Sequence, residues 1–267
     1  MSRTPDRMEC RDIYNVATQG NISGLMQKIT SGLSPDCQNI YTNSESPLYG
    51  ATKYEKLDSV TTLLTNGANV NYRSGNGETA LTIAAQMGNM SIFNYLMTYN
   101  PDTNIGNNAG LVPLMTASLG NNVEMVTSLL SHGADSNKQM VSGQTSLHMA
   151  ASGRANDVIT VLLANNPSLA MVLDGWGKSA LESQIINGYS YSAQVWLNKK
   201  FLEHPEDPRI ADGKAHMDKT LSTMKLLLEN GAPCSAACQA RLFENPDLKA
   251  AADLYGATHD HSDNLSL

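Results

Sequence analysis

The chain has 267 residues, 41% of them hydrophobic, and its 25 acidic residues against 18 basic ones give a formal net charge of −7. That is ample apolar material for a folded core. The acidic balance argues against general binding to nucleic-acid phosphates, and Lys199-Lys200 is the only adjacent basic pair.

Only 16% of the residues are charged, against about 25% in ordinary soluble domains. Much of the polar surface must come from Asn, Ser, Thr and Gln, as in Asn107-Asn108 and Asn121-Asn122. No apolar run approaches the roughly 20 residues of a membrane span, so no membrane insertion is expected. Ser2-Arg3-Thr4-Pro5-Asp6-Arg7 is polar rather than an apolar leader. Cys10, Cys37, Cys234 and Cys238 are few in a chain large enough to need no staples. The expectation is a cytoplasmic protein in a reducing compartment, although a chain exported through a C-terminal signal has the same features.

In chain order, residues 1–7 read as a tail. Residues 11–38 form an imperfect helical pair around Ile13-Tyr14-Asn15-Val16-Ala17, with Leu25-Met26 and Gly32 behind it. A unit then recurs. Its opening tetrad is Ser46-Pro47-Leu48-Tyr49, Thr79-Ala80-Leu81-Thr82, Val112-Pro113-Leu114-Met115, Thr145-Ser146-Leu147-His148 and Ser179-Ala180-Leu181-Glu182. The first positions (46, 79, 112, 145 and 179) are separated by 33, 33, 33 and 34 residues.

Small residues follow each opening Leu: Ala84-Ala85, Ala117-Ser118 and Ala150-Ala151. They let two helices approach closely. A turn near Gly88, Gly120 or Gly153 leads into a second apolar helix ending in Leu63-Leu64, Leu96-Met97, Leu129-Leu130 or Leu162-Leu163. Asn66-Gly67-Ala68 and His132-Gly133-Ala134 close such helices with a residue suited to the left-handed conformation. Gly77, Gly110, Gly143 and Gly177 sit two residues before each opening position, where the chain must reverse.

Beyond Gly188 the register weakens. Val195-Trp196-Leu197 falls where a Leu pair belongs, and His204-Pro205-Glu206-Asp207-Pro208 interrupts a helix. Leu221–Pro233 again reads as a second helix with its closing Gly231. The stretch 189–217 is either a damaged unit with a long loop or an insertion, 235–256 a helical cap, and 257–267 a flexible tail.

Gly143-Gln144-Thr145-Ser146-Leu147-His148-Met149-Ala150-Ala151 and Leu129-Leu130-Ser131-His132-Gly133-Ala134-Asp135-Ser136-Asn137 strongly resemble the ankyrin repeat, and the resemblance covers about residues 8 to 188. It implies an all-α solenoid of about six to seven units spanning 8–256, each a β-turn or hairpin finger plus two antiparallel helices that bury their apolar face against neighbouring units. It further implies a protein-interaction module or adaptor whose partner, another protein, docks on a concave face. Carried over by position, that face takes in Lys53, Tyr54, Arg73, Asn76, Glu78, Gln86, Met87, Asn108, Leu111, Leu119, Val141, Gln144, Ser152, Trp176, Lys178, Ile186 and Asn187. Of these, Tyr54, Met87, Leu111, Leu119, Val141, Trp176 and Ile186 are apolar where exposure is expected. The same resemblance makes Asn71, Asn104 and Asn137 candidates for asparaginyl hydroxylation.

A bacterial effector delivered into host cells would use the same repeats to engage a host protein, and the short polar tail ending Asp263-Asn264-Leu265-Ser266-Leu267 is compatible with delivery. Loop 204–213 is a candidate specificity loop. Cys234 and Cys238 with His259 and His261 have the residue types of a zinc quartet, but Cys234 follows an ordinary helix close at Gly231-Ala232-Pro233 and the histidines lie in a polar tail. His148 sits at the family's usual His position, where the imidazole ties loops together, and it has no nucleophile beside it. No phosphate-cradling loop, dinucleotide fingerprint or nucleophile elbow is present. No cofactor, metal or enzymatic activity is expected.

Overall fold

The computed structural model describes residues 7–182, 208–235, 238–240 and 245. Its helices are α1 (Arg7–Gln19), α2 (Ile22–Thr30), α3 (Pro47–Lys53), α4 (Leu57–Thr65), α5 (Ala80–Met87), α6 (Met90–Met97), α7 (Pro113–Leu119), α8 (Val123–Ser131), α9 (Ser146–Ser152), α10 (Asn156–Asn165) and α11 (Pro208–Glu229). Short 3-10 turns cover Ile40–Thr42 and Pro167–Met171. Among the described residues there is no strand, only the isolated antiparallel bridges Asn39–Glu45 and Leu173–Ser179.

The opening tetrads start helices for a local reason. Ser46 Oγ accepts the Tyr49 N–H at 3.2 Å, and Thr79 Oγ1 accepts the Thr82 N–H at 3.2 Å, each satisfying an amide that the helix leaves unpaired. Asn21 and Asn89 cap α2 and α6 in the same way. The repeating Leu and small positions form the interior: Leu48, Leu63, Leu81, Leu96, Leu114, Leu129, Leu147 and Leu162 are all buried, as is Phe93. Removing each such side chain from water contributes about 1.5–3 kcal/mol.

The chain divides into two compact units, one made of residues up to Ala117 together with Glu124–Lys138, the other of Ser118–Val123 and the chain from Gln139 onward. In the first unit α3 packs on α1, α4 and α5, while α4 packs on α2 and α6. First helices therefore lie on first helices and second helices on second helices. The connecting loops are laced by side chains. Asp36 Oδ1 accepts the Asn69 N–H at 2.9 Å, Asn71 Oδ1 the Asp102 N–H at 2.9 Å, and Asn104 Oδ1 the Asp135 N–H at 2.8 Å. Each rung joins one repeat to the next through a backbone amide with no helical partner.

In the second unit α10 packs on α9, on the Pro167–Met171 turn and on α11. Arg154 Nε donates to Thr220 Oγ1 at 2.7 Å, and Thr223 bonds Asn156. Helix α11 runs unbroken back to Pro208. The helix that the Leu run places at Leu221 thus extends into the segment read as irregular up to 217. Proline at the first helical position explains the start, since its missing N–H would have no partner there.

The cysteines correct the expectation of a staple-free chain. Cys10 pairs with Cys37 and Cys234 with Cys238 as disulfides, which leaves no free cysteine. Within Cys234-x3-Cys238 both thiolates that a zinc site would need are consumed. His259 and His261 lie outside the described residues, and no group of three or more His, Cys, Asp or Glu able to hold a metal occurs among the described ones.

Candidate partner-binding face

Beyond the first, the described fingers between repeats share one construction. The amide at the first position donates to the carbonyl four residues on: Ser74 to Glu78 at 2.9 Å, Asn107 to Leu111 at 3.0 Å, Met140 to Gln144 at 2.9 Å and Asp174 to Lys178 at 2.8 Å. Side chains at that first position brace the turn from inside. Ser74 Oγ accepts the Glu78 N–H, Asn107 Oδ1 accepts those of Ala109 and Leu111, and Asp174 Oδ1 accepts those of Trp176 and Lys178. Met140 has no acceptor to offer, so its finger stands on backbone bonds and a Ser142 Oγ–H donated to Gln144 Oε1 at 3.3 Å.

Neighbouring fingers are also bonded tip to tip. Gly75 N–H donates to Asn43 O at 2.7 Å, Asn108 N–H to Asn76 O at 2.8 Å, and Gly175 N–H to Ser142 O at 2.8 Å. At Gly143, with φ +78°, an added Cβ would lie 2.3 Å from the Gly175 nitrogen. Only glycine lets these two fingers touch there.

At the family's His position, Tyr14, Tyr49 and His148 tie their first helix to the following finger, with differing chemistry. His148 Nδ1 accepts the Thr145 N–H at 3.3 Å and lies 2.9 Å from Thr145 Oγ1. Nε2 therefore carries the proton and donates to the Lys178 carbonyl at 3.1 Å. Burial lowers the His148 pKa, outweighing the Lys178 hydrogen bond and the Asp174 charge, which raise it. Tyr49 Oη–H donates to Glu78 Oε2 at 2.7 Å, and Tyr14 on α1 bonds Glu45 likewise. Burial and the neighbouring carboxylates push both phenols well above their ordinary range. Glu182 Oε2 accepts the Ser179 N–H at 3.1 Å while Ser179 Oγ accepts the Glu182 N–H, a reciprocal cap, and Glu182 Oε1 accepts the Ser235 N–H at 2.7 Å. At Tyr14 and Tyr49 a phenol bonded to a carboxylate does the work of the imidazole.

The face residues expected from sequence divide into two sets. Tyr54, Met87, Leu119, Val141 and Trp176 are exposed. Tyr54 and Met87 stand 33 positions apart at the ends of the adjacent helices α3 and α5. Val141 is 85% and Trp176 69% exposed, on the fingers of the second unit that join through Gly175 and Ser142. The other set braces the scaffold. Arg73 reaches the Gly77 and Gly106 carbonyls at 3.2 and 3.1 Å, and Gln139, in the same register, reaches Leu173 O at 3.4 Å. Asn76 is exposed and gives its carbonyl to Asn108, while Leu111 and Gln144 are half-buried. Ile186 and Asn187 lie outside the described residues, as do Trp196 and residues 204–207 of the candidate specificity loop. Leu173, exposed at the base of the Trp176 finger, was missed, although it shares the register of Arg73 and Gln139.

The chain matches the family model for ankyrin repeats (3 copies) over residues 13–109 and 99–171. It belongs to the ankyrin-repeat family, whose members generally act as protein–protein interaction modules. No curated protein matches the chain. Among the described residues no helix is long and apolar enough to cross a membrane.

Proposed function

We propose that this chain is an adaptor that recognises a partner protein through its finger tips and first-helix ends, without catalysing a reaction. Trp176 is the principal anchor. The observation that carries this reading is the contrast between its backbone and its side chain. Asp174 Oδ1 holds the amides on either side of the tip, at Trp176 and Lys178, and Gly175 is bonded to the preceding finger, yet the indole is exposed. A large aromatic on a rigid turn loses little freedom on binding, and such residues dominate interface energetics. Tyr54 and Met87 add an apolar row on the first unit; Lys53 beside Tyr54 is paired to Glu45 at 3.0 Å. The low charge of the surface reduces the desolvation that docking requires.

The test is binding. The full chain and a Tyr54→Ala/Met87→Ala/Trp176→Ala variant with unchanged circular dichroism are compared in affinity capture. Trp176→Ala alone should weaken the captured partner by about 2 kcal/mol or more. Equal retention by wild type and triple variant would remove the face from consideration.

The cysteine pairing favours a chain that meets an oxidising compartment at some stage, over the purely reducing cytoplasm expected from sequence. Recovery of all four cysteines as thiols from the native source would restore the cytoplasmic reading.

A further inference from the structure

The first finger, spanning Asn39–Glu45, differs from the others in how it is held. Its backbone closes through the Asn39 N–H donated to Glu45 O at 2.9 Å, and Asn43 and Ser44 both take left-handed conformations. Three residues of α1 grip it or the segment entering it. Cys10 bonds Cys37, the Arg11 guanidinium lies 5.7 Å from the Tyr41 ring centroid, and the Tyr14 hydroxyl bonds Glu45. Cys10 and Tyr14 stand one helical turn apart, on one face of α1. The loop between α2 and the finger is otherwise held mostly by local bonds, such as Leu33 N–H to Lys28 O, Cys37 N–H to Ser34 O and Asp36 N–H to Ser34 Oγ, with Asp36 accepting from Asn69 and Gln38 bonding Tyr72 across to the next repeat. The finger's tip in turn seats the next one. Gly75 N–H donates to Asn43 O at 2.7 Å, and a Cβ on Gly75 would lie 2.4 Å from Asn43 Oδ1.

We propose that Cys10 and Cys37 form a redox-responsive tether that locks the first finger, and through Gly75 the second, in the oxidised chain and releases it on reduction. Cys10 lies in the first turn of α1, where a helix opens most readily, and Cys37 in an irregular loop. Both cysteines are buried, so local opening admits the reductant. The reductant is a dithiol. Its thiolate attacks one sulfur, the Cys10–Cys37 bond breaks, and a mixed disulfide forms. The second thiol then closes the reductant into its own disulfide. Two electrons and two protons end on Cys10 and Cys37 as thiols. From α1 the remaining grip is then the Tyr14 hydroxyl on Glu45 and Thr42 and the Arg11–Tyr41 ring contact, with Lys53 of α3 paired to Glu45 at 3.0 Å. The tether stands whether or not the fingers bind a partner.

The test uses the full chain, with a Cys234→Ser/Cys238→Ser variant isolating the first pair. Samples are equilibrated with glutathione disulfide or dithiothreitol, cysteines are mapped by differential alkylation, and amide exchange is followed by NMR. Reduction should speed exchange at Asn39, Thr42 and Gly75 about tenfold, leaving Asn107 and Gly110 within about twofold. A Cys10→Ser/Cys37→Ser variant should show the reduced pattern without reductant. Three results would overturn the proposal: free Cys10 and Cys37 after oxidation, unchanged exchange at the three reporter amides, or equal acceleration at Asn107 and Gly110, which would mean wholesale loosening rather than a local release.

Discussion

The two units apply one repeat register to different ends. In the first, positions between repeats carry amides and carboxylates that accept backbone N–H groups: Asp36, Asn71 and Asn104. Its helix-to-finger ties are phenol to carboxylate, and the finger-tip positions Asn43, Gly75, Asn76 and Asn108 are small and polar, with large apolar side chains exposed only on its first finger, at Ile40 and Tyr41. In the second, the finger tips present Val141 and Trp176, and the tie is a histidine. The lesson is that the repeat prescribes where a side chain stands and leaves its task open. Positions whose neighbours need a hydrogen-bond partner become scaffold, and positions facing water are free to carry recognition.

The largest expected effect breaks the contact between the fingers of the second unit. Gly143→Ala combines a left-handed backbone with a Cβ 2.3 Å from the Gly175 nitrogen, and should destabilise by about 3 kcal/mol in chemical denaturation. Gly133→Ala in the first unit shares the positive φ but meets nothing within 4 Å, so backbone strain alone should cost about 1–2 kcal/mol. Equal losses would show that the finger relaxes away from the clash.

Next comes the difference between the ties. His148→Ala leaves the Thr145 N–H and the Lys178 carbonyl without that partner in a buried site, at a cost of about 1–3 kcal/mol. The wild type should also lose stability in acid. Because the folded pKa of His148 is lowered, the unfolded chain takes up the proton at the higher pH. This contribution is complete above roughly pH 6.5, the ordinary histidine value, and falls away as pH drops below it. Denaturation midpoints across pH 5 to 8 should show an acid step in wild type that His148→Ala lacks. The Tyr49 phenol, pushed upward, stays protonated over that range, so amides around Glu78 should show no step of this origin.

The smallest effect is a gain. Met140 holds the position that Ser74, Asn107 and Asp174 use to brace their turns. Met140→Asn should let the side chain accept the Ser142 and Gln144 N–H groups and add about 0.5–1 kcal/mol. An unchanged midpoint would mean that the finger is already braced by Ser142 and Gln144.

The repeat was legible because it is local: Leu48, Leu81, Leu114 and Leu147 recur at constant spacing, and Ser46 and Thr79 cap the helix they precede. The exposed candidates Tyr54, Met87, Val141 and Trp176 followed from register. Arg73 was harder to read, since a charged residue beside a finger tip looks free until the Gly106 carbonyl, 33 residues on, is placed against it. The Tyr49–Glu78 tie was hidden for the same reason, because neither residue matches the family pattern.

The sequence by itself determined the family, the element order and which positions face the interior, since periodic burial and helix capping depend on residues within one turn or one repeat. Only the tertiary structure decided that Cys10 reaches Cys37, that α11 begins at Pro208, and which finger residues are bonded into the scaffold. Those outcomes depend on which atoms of separate repeats come within bonding distance, and spacing along the chain does not carry that information.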